Sequence, residues 1–139
     1  MNKFTLKYEL DLDFVLIALT VPLKDYRLCF QINKHLNIQF QRIEELVLPS
    51  SRETRHHFFS RYHYNSENPE SDYYLVANKG SEGFLIPEMK TVDFFIILKN
   101  FIDQEDLEKL IGGLNRIHEV QVAVEVDPKK LKSKENLIF

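Results

Sequence analysis

A chain of 139 residues is about one domain's worth, and a domain of that size buries roughly two-thirds of the surface its unfolded chain exposes, so a core is possible without staples. Eighteen basic against 21 acidic side chains leave a net charge of −3, which argues against a nucleic-acid binder with its strongly basic face. The single cysteine, Cys29, has no internal disulfide partner and points to a reducing compartment. Met1-Asn2-Lys3-Phe4 lacks the basic-then-apolar order of a secretory signal, and the longest apolar run, 14–19, is far short of the roughly 20 residues that span a bilayer. The expectation is a cytoplasmic domain with no membrane association.

In chain order, strict alternation of apolar and polar residues over 4–10 predicts a strand with one dry face. A turn follows at Asp11 and Asp13. The run 14–20 is apolar on both sides, so it predicts a central strand covered on both faces. Pro22 ends it. A helix is expected over 23–36: Leu23, Tyr26, Cys29 and Phe30 recur at helical spacing, and so do Leu28, Ile32 and Leu36. Asn37 is the expected stop, because Asn tolerates the left-handed conformation of a helix end. Ile38, Phe40, Arg42 and Ile43 start a second strand, closed by the loop Pro49-Ser50-Ser51.

Alternation resumes over 56–64 and again at 73–77, across the polar loop 65–71, so 56–77 reads as a long hairpin. Val92 to Leu98 is a second strand that is apolar on both faces. Asp103 stands where an N-cap belongs, with Glu105 and Asp106 in the first turn of a helix carried by Leu107, Leu110, Ile111, Leu114 and Ile117. Gly112-Gly113 conflicts with that helix unless it is short or something packs closely there. Val120, Val122, Val124 and Val126 alternate as a last strand before Pro128. The tail is basic and then apolar, ending Leu137-Ile138-Phe139, which predicts docking rather than fraying.

The order strand–helix–strand, hairpin, strand–helix–strand predicts a single α+β domain over 1–139. Its sheet is mainly antiparallel and carries two helices, in a ferredoxin-like or split-βαβ core. The hairpin would be an insertion at about 55–78, and the C-terminal tail would begin at about 128.

Ile86-Pro87-Glu88, three residues, then Val92-Asp93 resembles the motif of a small bacterial group, the IPExxxVDY family. Tyr26-Arg27-Leu28 with Gln31-Ile32-Asn33, and the closing stretch 131–139, are similar to the same family. The resemblance implies no established reaction. Position 94 departs from it, with Phe where the family has Tyr, so no scheme that needs a phenol there applies. Physically, Pro87 restricts the backbone and biases Ile86 toward extended geometry. Glu88 and Asp93 flank a short turn into a buried strand. Turn capping by Asp93 or Thr91 is the plainer reading. The functional reading makes Glu88 and Asp93, beside Pro87, a ligand or metal contact or an acid–base pair.

Other constellations are weaker. His56 and His57 point to opposite faces of a strand, and His57 and His63 lie about 20 Å apart along it, so no metal site is expected. There is no phosphate loop, dinucleotide turn or nucleophile elbow, and hence no cofactor or catalytic set. Arg55, His57, Phe59 and Arg61 share one strand face and form a candidate surface for a protein partner or for self-association. The expected function is a small non-enzymatic binding or assembly module. The alternative, resting on fold analogy, is an ACT-like small-ligand sensor.

Overall fold

The structure, a computed structural model, describes residues 12–49, 56–67, 70–100 and 102–139. The strand expected over 4–10 lies outside them. The elements in order are β1 (Val15–Thr20), α1 (Asp25–Leu36), β2 (Gln41–Arg42), β3 (Leu46–Pro49), β4 (His56–Phe59), β5 (Arg61–Glu67), β6 (Glu70–Ala77), β7 (Phe94–Asn100), α2 (Gln104–Arg116) and β8 (Val122–Val126). Two short 3₁₀ turns, Pro128–Lys130 and Lys134–Leu137, make up the tail.

Among the described residues the chain is α+β, with two helices and a mainly antiparallel sheet. Six strands pair in the order β2-β5-β6-β7-β1-β8, and β3 with β4 forms a separate two-stranded ribbon. β1 lies inside the large sheet, Ile17 opposite Ile96 on one side and Glu125 on the other. That position accounts for its unbroken apolar run: Leu16, Ile17, Ala18 and Leu19 are all buried.

The two faces of the sheet carry different covers. Ile17, Leu19, Leu75, Ala77, Ile96 and Leu98 pack under both helices, against Leu28, Ile32, Leu107, Leu110 and Leu114. Leu16, Ala18, Val76, Phe95 and Ile97 pack on the other side, against Leu46 and Phe59 of the ribbon, Leu85 and Ile86 of the motif, and Leu131 and Leu137 of the tail. The tail is therefore a structural layer, as its apolar end suggests.

The long hairpin expected over 55–78 divides. Arg61–Glu67 and Glu70–Ala77 pair as β5 and β6, with His63 opposite Tyr74, while His56–Phe59 pairs with β3, Phe58 opposite Val47. Ser60 separates the two strands. Alternation of side chains along 56–64 continues across such a break, so periodicity does not reveal that the pairing partner changes.

The helix ends follow their local chemistry. Asn37 adopts the left-handed conformation (φ 54°, ψ 37°) that stops α1. Asp103 Oδ1 accepts from the Asp106 N–H at 2.8 Å and starts α2. The helix runs on through Gly112 and Gly113. A Cβ on Gly113 would run into Leu36 Cδ2 of α1, so the glycine permits a close helix–helix approach.

Candidate functional site

The motif forms two consecutive turns. The Met89 N–H donates to the Ile86 carbonyl at 3.0 Å, with Pro87 supplying the preset φ of the second turn position, and the Val92 N–H donates to the Met89 carbonyl at 3.1 Å. One buried side chain holds both turns. Asn78, 0% exposed, donates through Nδ2 to the carbonyls of Met89 (2.9 Å) and Val92 (2.7 Å), and its Oδ1 accepts from the Ile86 N–H at 2.8 Å. Its main chain joins in: its N–H donates to the Asp93 carbonyl and its carbonyl accepts from the Leu85 N–H. Buried polar main chain must find partners, and Asn78 supplies a cluster of them from the end of β6.

The two acids of the motif are engaged with different segments. Asp93 Oδ2 accepts from the Val21 N–H at 2.7 Å, and the Asp93 N–H donates to the Leu19 carbonyl at 2.8 Å, closing the chain that leaves β1. Glu88 reaches the tail. Its Oε2 accepts from the Ser133 N–H at 2.8 Å and its Oε1 from the Ser133 hydroxyl at 2.9 Å. Burial opposes ionisation of Glu88, but the main-chain donors of Ser133, Glu88 itself and Lys132, with the Ser133 hydroxyl, together outweigh it and hold its carboxyl below its usual range. Nearby, Asn136 Nδ2 donates to the Leu85 carbonyl at 2.8 Å. The exposed Pro87 lies at the bend, between Ile86 and Glu88. The motif thus bonds on one side to the exit of β1 and on the other to the tail. Both carboxylates act as acceptors for main-chain amides.

Among its described residues the candidate partner surface is partly buried. Arg55 lies outside the described residues. Phe59 is 1% exposed and belongs to the core beneath the ribbon, so it offers nothing to a partner. His57 is half-buried beside it, ring centres 6.3 Å apart and nearly parallel. Arg61 is half-buried too, its Nε donating to the Glu44 carbonyl at 3.1 Å. The physical reason is the ribbon's own two-sidedness: β4 turns His57 and Phe59 inward and leaves Phe58 out in water, opposite the exposed Val47.

A more exposed apolar pair lies on α1. Tyr26 and Phe30 are 59% and 61% exposed, while Leu28, Cys29 and Ile32 form the buried stripe. Helical spacing groups Tyr26 and Phe30 with Cys29, which is buried. The signal that distinguishes them is the helix's excess of apolar stripes: one helix face can be buried on one sheet, and a second stripe is left outside. Cys29 is buried as a free thiol, and burial raises its pKa.

The histidines do not converge. His63 Nε2 lies 2.8 Å from Asp72 Oδ1 across the β5–β6 hairpin, and hydrogen bonds from His63 and then Asn65 hold the Asp72 carboxyl below its usual range. Among the described residues no group of three His, Cys, Asp or Glu is placed to hold a metal ion. Among them, too, no helix is long and apolar enough to cross a membrane. In comparisons with protein-family models, with curated proteins and with solved structures, the chain matches none.

Proposed function

We propose that this chain is a small non-enzymatic binding or assembly module that meets a protein partner through the outward face of α1. One observation carries the reading: Tyr26 and Phe30 stand one turn apart in water on a helix that already has a separate buried stripe. Aromatic side chains are enriched at interface centres, and a few of them hold most of the binding energy. Lys34 Nζ, 6.0 Å from the Phe30 ring centre, supplies a polar rim. The use of Glu88 and Asp93 as main-chain acceptors supports an architectural motif rather than an acid–base pair.

The test is sedimentation and pull-down with the chain and its Tyr26→Ser, Phe30→Ser double variant. Loss of a central aromatic pair costs a complex at least about 2 kcal/mol, so assembly or partner recovery falls by more than about tenfold at unchanged helix content by circular dichroism. Equal assembly and equal recovery for both proteins would end this reading.

Three companion readings belong to the same proposal. A ferredoxin-like core is supported by the order β6-β7-β1-β8 with both helices on one face, and by β2 to β5 lying between α1 and β6 in sequence. Kinship with the IPExxxVDY family is supported by the bonding of its two marker stretches to each other, Glu88 to Ser133 and Leu85 to Asn136. A cytoplasmic location is supported by the buried free thiol.

A further inference from the structure

The end of the tail occupies a slot of mixed aromatic and cationic character. The Phe139 ring meets Tyr74 edge-on, with ring centres 5.3 Å apart and planes at 90°. The Arg61 guanidinium and the Lys99 ammonium each lie 4.9 Å from the centre of the Phe139 ring. Lys99 Nζ also donates to the Phe139 main-chain oxygen. His63 stands against Tyr74, ring centres 4.9 Å apart.

The sheet assembles this group by register. His63 lies opposite Tyr74 between β5 and β6, and Asp72 lies opposite Lys99 between β6 and β7. Arg61 precedes His63 by two residues and therefore shares its face. This is the face away from the helices, where Val76 and Ile97 form the apolar floor.

The floor of the berth is aliphatic, and its walls are not. Here two cations converge on one ring, and one of them also takes the adjacent oxygen. Cation–π attraction selects an aromatic ring, and a charged donor beside it selects an anionic oxygen. We propose that this slot is a binding site for an aromatic carboxylate, with the chain's own Phe139 as its resident occupant. An incoming aromatic acid replaces the ring and the main-chain oxygen with a ring and a carboxylate. It thereby releases the outer end of the tail, while the Glu88–Ser133 bonds keep the inner end in place. The slot is the small-ligand reading of this chain and is independent of the α1 face, so either can fail without the other.

The test uses the full chain, its Phe139→Ala variant and two probes: 3-phenylpropionate, and a peptide with the sequence of residues 134–139. Each is followed by the ring resonances of Tyr74 and His63. Phe139→Ala is expected to bind 3-phenylpropionate saturably in the millimolar range, as suits a ligand of about this size. The unaltered chain binds it at least about tenfold more weakly, because its slot is open only in a minor population. Adding Lys99→Met to Phe139→Ala, or replacing the acid with its amide, weakens binding by about tenfold or more, the loss expected for a charge-assisted hydrogen bond. Binding of the small acid alone assigns the slot to free aromatic acids, and binding of the peptide alone assigns it to a chain segment; both outcomes sustain the site. Absence of saturable binding of either probe to a folded Phe139→Ala chain overturns it, as does binding indifferent to Lys99→Met. Should Phe139→Ala not fold, Phe139→Leu, which keeps apolar bulk without a ring, takes its place under the same two criteria.

Discussion

Asn115 pairs with Ala123 as a neighbouring strand would. Its Oδ1 accepts from the Ala123 N–H at 2.9 Å and its Nδ2 donates to the Ala123 carbonyl at 2.9 Å. Asn33 does the same to Phe40, at 2.9 and 3.1 Å. Ala123 belongs to β8, and Phe40 immediately precedes β2, the two outermost strands of the large sheet among the described residues. Each helix thus lends one amide to an outward-facing peptide group of the strand that follows it. Unpaired edge groups are templates for strand addition, and these asparagines occupy one position on each edge.

Asn115→Ala removes the side-chain partner from both the N–H and the carbonyl of Ala123, and Asn33→Ala removes it from the Phe40 N–H and leaves the Phe40 carbonyl with the Cys29 thiol alone, so each variant is expected to lose about 1–3 kcal/mol in urea unfolding. The double variant also gains concentration-dependent association, read by light scattering, because both edges are then open. Losses of only a few tenths of a kcal/mol, with no added scattering, would count against edge protection.

Asn78 carries a heavier duty. Asn78→Ala leaves the buried Val92 carbonyl and Ile86 N–H without their partner and the Met89 carbonyl with the Val92 N–H alone, and the expected loss is about 3–5 kcal/mol. Asn78→Asp is no remedy, since a carboxylate can accept from Ile86 but cannot donate to the two carbonyls. Denaturant midpoints of both variants check this; an Asn78→Asp chain as stable as the original would refute the donor role.

Glu88 makes stability depend on acid. Its carboxyl titrates below its usual range when folded, so the folded chain holds that proton more weakly than the unfolded one. Its contribution is present above the unfolded pKa and is lost as pH falls through the folded pKa. Urea midpoints of the chain and of Glu88→Gln should therefore differ near neutrality and converge as the pH falls below the carboxylate range. Parallel profiles across that range would remove the Glu88–Ser133 bond from the account of how the tail is held.

Much of the architecture was legible residue by residue. The two-sided apolar runs at β1 and β7 announced inner strands, Asp103 and Asn37 marked helix ends, and the apolar close of the chain announced a docked tail. These are local signals: a strand buried on both faces must be apolar at every position, and an N-cap or left-handed stop acts within a turn. The candidate site was less legible. Phe59 and Phe58 are adjacent and chemically alike, yet one is core and the other faces water. Which face of β4 lies inward depends on the ribbon it makes with β3 and on what that ribbon covers, and neither is written in residues 56–59.

The alternation, the caps and the proline turn are properties of neighbouring residues, and the chain's order alone determined them. The joining of residue 88 to 133, of 78 to 92 and of 61 to 139 was decided only by tertiary structure. A hydrogen bond or ring contact between distant positions costs nothing in local propensity and leaves no periodic trace. It exists because the sheet's register and the tail's path bring those atoms within reach.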